Sequence, residues 1–147
     1  MIGGDVGIHN ELSLTCLDVT ADPIGAANLR RMFKAWLHNN FQLDDERLSS
    51  LTLAVNEALA NAVEHAYSDQ PSSGTLDLRA DYDHHADELN VVVTDRGRWR
   101  TPEPDPLHLR GRGIPLMHAL SERTQIEFAE AGTTVQLGWT SFAKRSD

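Results

Sequence analysis

Cysteine and long apolar segments are almost absent from this sequence. Cys16 is the single cysteine among 147 residues, so no intrachain disulfide can form, and this fits a reducing compartment. No apolar run approaches the roughly 20 residues that a membrane-spanning helix needs. Residues 1–5 contain neither a basic cluster nor an apolar stretch, so the sequence predicts no signal peptide. We expect a cytoplasmic protein that makes no membrane contact.

Positive charge is also scarce. The chain has 13 Lys and Arg residues against 22 Asp and Glu residues, which gives a formal net charge of −9. Such a chain is a poor candidate for binding DNA or RNA, because that binding depends on basic side chains that neutralise phosphates. A small phosphate ligand remains compatible with this charge, since backbone amides, a metal ion and one or two arginines are enough to hold it.

Hydrophobic periodicity predicts one α+β domain over residues 1–147, with residues 1–10 flexible. A chain of this length with 40% hydrophobic residues fits a single core, and no repeat or linker divides it. The patterns follow the order strand, helix, helix, strand, strand, helix, strand, strand. Consecutive strands imply antiparallel hairpins, so we expect a two-layer sandwich with helices on one face of a mixed, mostly antiparallel sheet. The expected strands are 12–19, 75–82, 89–94, 124–130 and 133–140, and the expected helices are 23–39, 44–66 and 114–122.

The second helix places several polar side chains on one face. At about 100° per residue, Glu57, Asn61 and Glu64 fall close together with His65 at the margin, and the apolar stripe faces roughly the opposite way. Glu57 and Asn61 are one turn apart, so their side chains can converge on one ligand. The same pattern is also typical of a solvated helix face.

An aspartate follows the valine-rich strand. Asp95-Arg96-Gly97 comes directly after the predicted strand 89–94, which contains valines at 91–93, and the pattern is common in turns. As a binding residue, Asp95 would accept a hydrogen bond from the exocyclic amine of adenine. Guanine has an oxygen at that position and would leave the carboxylate unpaired. Asp95 is therefore a candidate for adenine selection.

Two glycine-containing segments follow. The Gly-Arg-Gly segment at 111–113 precedes the third helix, where glycine lets the backbone approach a phosphate closely and the helix N-terminus attracts anions. The Gly-Thr-Thr segment at 132–134 enters the last strand and is by itself typical of a hairpin turn. Each motif alone is a weak signal.

The order and spacing of these motifs are more specific than any one of them. Residues 53–67, Leu-Ala-Val-Asn-Glu-Ala-Leu-Ala-Asn-Ala-Val-Glu-His-Ala-Tyr, closely resemble the asparagine motif of the GHKL ATPase and kinase superfamily. Residues 95–97, 111–114 and 132–135 are similar to its later motifs and occur in the same order. The short chain and the Asn-Ala-Val-x-His-Ala-Tyr form of the first motif resemble one branch, the bacterial anti-sigma-factor serine kinases of sporulation and stress control. The resemblance covers nearly the whole chain.

This resemblance implies a Bergerat-type ATP-binding fold with ATP and Mg²⁺ as cofactors. It implies that Glu57 is the general base towards a substrate serine, that Asn61 holds Mg²⁺ against the phosphates, and that Asp95 selects adenine. Phosphoryl transfer mainly requires positioning and charge neutralisation, which suits these roles. The residues assigned to the nucleotide are Asn61, His65, Asp95, Gly97, Arg110, Gly111, Arg112, Gly113, Thr133 and Thr134.

Protein partners are implied as well. In the similar kinases an arginine on the first helix contacts the partner proteins, and Arg30 and Arg31 are the candidates here. The expected partners are a sigma factor and an anti-anti-sigma protein of the STAS type, which would be the phosphorylated substrate. A homodimer is also expected, with the first strand and the first helix near its interface.

Three other functions compete with the serine kinase. Residues 98–110 form a lid that is short for the family and contains three prolines, which favours a nucleotide-dependent binding module without kinase activity. A sensor histidine kinase would have a dimerisation helix pair with a phospho-acceptor histidine before this domain, and the sequence contains none. A purely structural domain would make four ordered motifs a coincidence. The presence of Glu57 favours the serine kinase.

Overall fold

A computed structural model describes residues 11–67, 74–96, 113–129 and 132–142. The expected flexibility of residues 1–10 falls outside these ranges. No helix in the described ranges is long and apolar enough to cross a membrane. The elements are β1 (Glu11–Thr20), α1 (Pro23–Asn40), α2 (Asp45–Tyr67), β2 (Thr75–Asp83), β3 (Glu88–Asp95), α3 (Gly113–Leu120), β4 (Arg123–Ala129) and β5 (Gly132–Thr140).

The strands form one five-stranded sheet in the order β1-β2-β3-β5-β4. We predicted a mixed, mostly antiparallel sheet, but all four pairings among the described residues are antiparallel. β1 is an edge strand, and its register with β2 shifts between Cys16 and Val19. Asp18, inside this bulge, has a left-handed backbone with φ of 59°. The α+β class with helices on one face of the sheet is confirmed.

The core lies between the sheet and the helices, and α2 is its central element. α2 packs against α1, α3 and three strands of the sheet. Both long helices begin at an aspartate that accepts a backbone N–H one turn ahead: Asp22 bonds Gly25 at 2.7 Å and Asp44 bonds Arg47 at 2.7 Å. Such capping supplies partners for the otherwise unpaired first amides of a helix. The two caps therefore fix where α1 and α2 start above the sheet.

Aromatic side chains close the end of the sheet where β2 meets β3. Phe41 makes edge contacts with Tyr82 and Phe142 at ring distances of 5.1 and 5.2 Å. The Asp87 carboxylate accepts hydrogen bonds from the Tyr82 hydroxyl at 2.7 Å and from the Phe142 amide at 2.9 Å. Burial and this carboxylate raise the pKa of Tyr82 to about 12. Aromatic rings fill this end of the sheet, and Tyr82 lies six residues, or about 20 Å, along β2 from Leu76.

Candidate functional site

Two buried polar side chains lie opposite each other at the other end of the sheet. Asp95 ends β3 and Thr133 follows the first residue of β5, and the two are register partners. Leu76 of β2 is the partner of Asp95 on its other side. Leu76 is fully buried, which places this row on the face that the helices cover. Asp95 is 1% exposed and Thr133 is 4% exposed. An otherwise apolar sheet face therefore ends in a carboxylate and a hydroxyl.

Thr133 has an unmet hydrogen-bonding capacity. Within the described residues, its Oγ1 atom is buried and has no hydrogen-bond partner. Leaving a buried polar group unpaired costs about 1–3 kcal/mol, so native structures rarely contain one without a reason. A ligand that reaches the Asp95–Thr133 pair with polar ring atoms would remove this cost. Adenine fits, because it has an amine donor for a carboxylate and ring nitrogens that accept from a hydroxyl.

Gly132 lets β5 begin close against the end of β3. Its φ is 151°, a conformation that side chains rarely adopt. A Cβ atom added there would lie 1.6 Å from the Asp95 carbonyl oxygen. The glycine is therefore required by the close approach of the two strands, and it brings Thr133 alongside Asp95.

We expect Gly132→Ala to disturb this end of the sheet. Left-handed strain costs about 1–3 kcal/mol, and the clash with the Asp95 carbonyl adds to it. The melting temperature and the affinity for ADP should both fall. Gly138→Ala is the matched control on the same strand, because the atoms nearest to its added Cβ belong to the guanidinium of Arg123, the far end of a flexible side chain. Equal effects of the two substitutions on ADP affinity, by calorimetry, would contradict the role given to Gly132.

On α2, the structure corrects the expected position of Asn61. The sequence pattern placed Asn61 away from the apolar stripe, but it is 6% exposed. The physical reason is that α2 contacts α1, α3 and the sheet together, which buries a wider arc than a single stripe. Glu57, one turn earlier, is half-buried, and Glu64 is exposed as expected. Asn61 thus lies at the border between the core and the open side of α2, and Glu57 lies nearer to solvent.

Several predicted nucleotide residues lie outside the described part of the chain. These are Gly97, Arg110, Gly111 and Arg112. His65 belongs to α2, but its side chain is among those left undescribed. Gly113 is the first residue of α3, as expected for a helix start. Thr134 is half-buried, but as the next residue of β5 it lies on the face of the sheet opposite to Thr133. These positions stay predictions.

The described side chains do not form a preformed metal-binding site. No group of three His, Cys, Asp or Glu residues within the described ranges is placed to hold an ion. Mg²⁺ bound with a nucleotide usually takes one or two protein ligands, and phosphate oxygens and water supply the others. The amide oxygen of Asn61 is a suitable ligand of this kind, so the donor set fits Mg²⁺ held together with a triphosphate.

A separate cleft of about 410 Å³ lies at the opposite end of α2. Its walls come from the start of α2, the end of α3 and the end of β5, and include Arg47, Glu122 and Trp139. Arg47 precedes Asn61 by 14 residues, which corresponds to about 21 Å along a helix. The Arg47 guanidinium is already bonded to the carbonyl oxygens of Thr140 and Ser141, at 2.7 and 2.8 Å. This cleft is therefore distinct from the Asp95–Thr133 pair.

The two arginines of α1 have different surroundings. Arg30 Nη1 donates to Asn56 Oδ1 of α2 at 3.3 Å, immediately before Glu57 in the sequence. Arg31 Nη2 donates to Asn28 Oδ1 of its own helix at 2.6 Å. Both side chains are on the surface. Arg30 is the one that the structure brings next to the turn of α2 that contains Glu57.

Sequence comparison matches most of this chain to one known family of domains. The model of the histidine kinase-like ATPase domain matches residues 19–139. The serine-protein kinase RsbW of Bacillus licheniformis is 30% identical over 119 residues, which cover 71% of this chain and 70% of the relative. The serine-protein kinase RsbW of Oceanobacillus iheyensis is 30% identical over 110 residues, which cover 65% of this chain and 68% of the relative.

Solved structures share the fold. The RsbU and RsbW domains of a Mycobacterium tuberculosis protein superpose with a TM-score of 0.67 at 24% identity, covering 88% of this chain. The chain spans 32% of the length of that mycobacterial protein chain. A blue-light activated histidine kinase from Erythrobacter litoralis gives a TM-score of 0.56 at 24% identity, covering 78% of this chain and 60% of its own. At this level of identity the superpositions concern the fold alone.

Proposed function

Since the chain belongs to the histidine kinase-like ATPase family, in the branch of RsbW-type serine-protein kinases, we propose that it is an anti-sigma factor and an ATP-dependent protein-serine kinase. It would bind a sigma factor and phosphorylate an anti-anti-sigma protein of the STAS type on serine. The observation that carries the nucleotide assignment is the buried Asp95–Thr133 pair, with a hydroxyl that has no partner among the described residues.

In the proposed site, Asp95 and Thr133 select the base. The carboxylate accepts from the exocyclic amine of adenine, and the Thr133 hydroxyl is available to a ring nitrogen or to a bridging water. Guanine would bring an oxygen towards a buried carboxylate that is 1% exposed. Two acceptors would then face each other out of contact with bulk solvent, which is strongly unfavourable. The site should therefore prefer adenine nucleotides.

Asn61 is the proposed protein ligand of Mg²⁺. When bound, the ion would neutralise charge on the β- and γ-phosphates and orient them for in-line attack. The amide oxygen of Asn61 suits this role because it is a neutral oxygen donor whose position is fixed by burial. At 6% exposure the Asn61 side chain is largely enclosed by the protein.

Glu57 is the proposed general base. It lies one turn before Asn61, a rise of about 6 Å along the helix axis. It is half-buried, so its carboxylate is accessible to a hydroxyl group that arrives from a second protein. A carboxylate within hydrogen-bond reach of that hydroxyl accepts its proton as the oxygen attacks phosphorus.

The face formed by α1 and the adjoining turn of α2 is the proposed partner surface. Arg30 is bonded to Asn56, next to the proposed base, whereas Arg31 is bonded within α1. A partner that presents a serine to Glu57 would therefore come close to Arg30. We also propose a homodimer formed near β1 and α1, which light scattering at tens of micromolar protein would reveal.

We expect Asn61→Ala to abolish the gain in ATP affinity that Mg²⁺ provides. Calorimetric titration with ATP, in Mg²⁺ and in EDTA, measures the ratio of the two affinities, which should fall to about one. Because Asn61 is buried, the melting temperature of the variant must be measured in parallel with these titrations. Asn56→Ala, which removes a half-buried asparagine from the same helix, is the control and should keep the Mg²⁺ dependence. An unchanged ratio in Asn61→Ala would exclude this residue as the ligand.

The second candidate function is a nucleotide-dependent module that binds its partner without phosphorylating it. The short, proline-rich segment at 98–110 favours this alternative, because prolines restrict the backbone and remove amide donors that could cradle phosphates. Incubation with γ-labelled ATP, Mg²⁺ and the anti-anti-sigma protein, called the antagonist below, distinguishes the two functions. A kinase labels the antagonist, whereas a module binds it and leaves it unlabelled.

A further inference from the structure

A buried carboxylate on β2 joins two distant parts of the chain. Asp77 is 5% exposed, although it is a charged residue. Its Oδ1 atom accepts the backbone N–H of Asp18, in the bulge of β1, at 2.8 Å. Its Oδ2 atom pairs with Arg96 Nη2, just beyond β3, at 2.6 Å. One side chain therefore connects the edge strand to the residue that follows the proposed adenine-selecting aspartate.

Two partners, one backbone and one side chain, satisfy this buried carboxylate. Leu76 and Leu78 on either side of Asp77 point into the core, so Asp77 lies on the opposite face of the sheet. A buried charge without hydrogen bonds is strongly unfavourable, and removing one partner leaves an uncompensated group. The Asp18 amide and the Arg96 guanidinium together supply that compensation.

At the edge strand, Asp77 holds a strained conformation. Asp18 has a φ of 59°, which costs free energy for any residue other than glycine. The hydrogen bond from its amide to Asp77 keeps the bulge in this shape. Leu17, the preceding residue, is 56% exposed, so the bulge presents an apolar side chain to solvent. The conformation of an exposed surface thus depends on Asp77.

At the nucleotide end, Asp77 anchors the residue next to Asp95. The Arg96 amide donates to the Thr75 carbonyl at 3.0 Å, and its guanidinium bonds Asp77. Arg96 is therefore tied to β2 through both its backbone and its side chain. Asp95 is the last residue of β3 and directly precedes Arg96, so this double attachment of Arg96 restrains the backbone at Asp95.

We propose that Asp77 is a positioning residue that couples the nucleotide site to the bulge of β1. Binding of an adenine nucleotide at Asp95 stabilises the arrangement of Arg96, Asp77 and Asp18, and this slows opening of the bulge. Coupling of this kind is reciprocal, so a partner that binds the bulge also changes nucleotide affinity. The inference rests on the proposed adenine site, and the route through Asp77 is an addition to it.

Hydrogen exchange at the Asp18 amide, measured by NMR with and without saturating ADP, tests the coupling. In the wild type, ADP should slow exchange of this amide about fivefold or more. Asp77→Asn keeps an oxygen acceptor for Asp18 but loses the charge that holds Arg96, so the ADP effect should disappear while the basal protection remains. Asp81→Asn is the matched control. Asp81 also lies on β2 and also contacts β1, at Ser13 Oγ 2.7 Å away, and its substitution should leave the ADP effect unchanged.

The outcomes separate this inference from the proposed function. A wild type that binds no ADP by calorimetry overturns both. If the wild type binds ADP but exchange of the Asp18 amide does not change, the coupling is overturned and the nucleotide site is retained. The same conclusion follows if Asp77→Asn still shows the ADP effect. If Asp77→Asn does not fold, Arg96→Gln interrupts the same link from a side chain that is 57% exposed. Loss of the ADP effect in that variant supports the proposal, and its retention overturns it.

Discussion

Glu57→Ala should slow phosphate transfer to the antagonist serine about 10²–10⁴-fold, the usual cost of removing a general base. The affinity for ADP should stay within about twofold of the wild type, because the proposed contacts with adenine are made by Asp95 and Thr133. The effect belongs to the chemical step, so the measurement is single-turnover labelling with the kinase in excess over the labelled ATP and with the antagonist saturating. It separates slower chemistry from slower product release.

Glu64→Ala is the control for this experiment. Glu64 is an exposed glutamate on the same side of α2, two turns after Glu57, and its removal changes the net charge by the same amount. Its transfer rate should equal that of the wild type. A Glu57→Ala variant that transfers phosphate at the wild-type rate would show that Glu57 is part of a solvated helix face and that another group takes the proton.

Asp95→Asn should weaken ADP binding about 10- to 100-fold, because a hydrogen bond to a charged group contributes about 1.5–3 kcal/mol. The preference for ADP over GDP should shrink by a similar factor, since the amide can turn its NH₂ group towards the guanine oxygen. The substitution is nearly isosteric at a site that is 1% exposed, so packing should be preserved. Calorimetric titration of the wild type and of Asp95→Asn, each with ADP and with GDP, gives all four affinities.

The control is Asp83→Asn, at the far end of the sheet. Asp83 also ends a strand, but its carboxylate accepts the amides of His85 and Ala86 in a turn, at 3.0 and 3.3 Å. This variant should bind ADP as the wild type does. Equal affinity of the wild type for GDP and ADP would show that the proposed role of Asp95 is wrong.

The secondary structure was largely predictable because its signals are local. Alternating side chains determined the strands, and the Asp22-Pro23 pair fixed the start of α1. The end of α3 differs: we predicted residue 122, and the helix stops at Leu120. Ser121 folds back onto the Met117 carbonyl through its amide and its hydroxyl, and the Glu122 amide then donates to the Gly138 carbonyl of β5. Pairing with a strand that follows later in the chain ends the helix, and no helix-breaking residue signals it.

The candidate site was predictable in part. Asp95 could be singled out because it directly follows a strand rich in valine, and the structure places it opposite Thr133. The burial of Asn61 could not be predicted, since it depends on how α1 and α3 pack on either side of α2. Asp77 was missed entirely. Its link to Asp18 spans 59 residues, and in the sequence it is an ordinary polar residue in an alternating strand.

The most direct test of the proposed serine kinase is the chemical form of the phosphate that it transfers. The protein is incubated with γ-labelled ATP, Mg²⁺ and an anti-anti-sigma protein of the STAS type, and the labelled products are then treated with acid. We predict label on the antagonist that withstands acid, as a phosphate ester of serine does, with mass spectrometry locating it on one serine. Acid-labile label on a histidine would contradict the account in favour of histidine-kinase chemistry, and an antagonist that binds but stays unlabelled would leave only the nucleotide-dependent binding module.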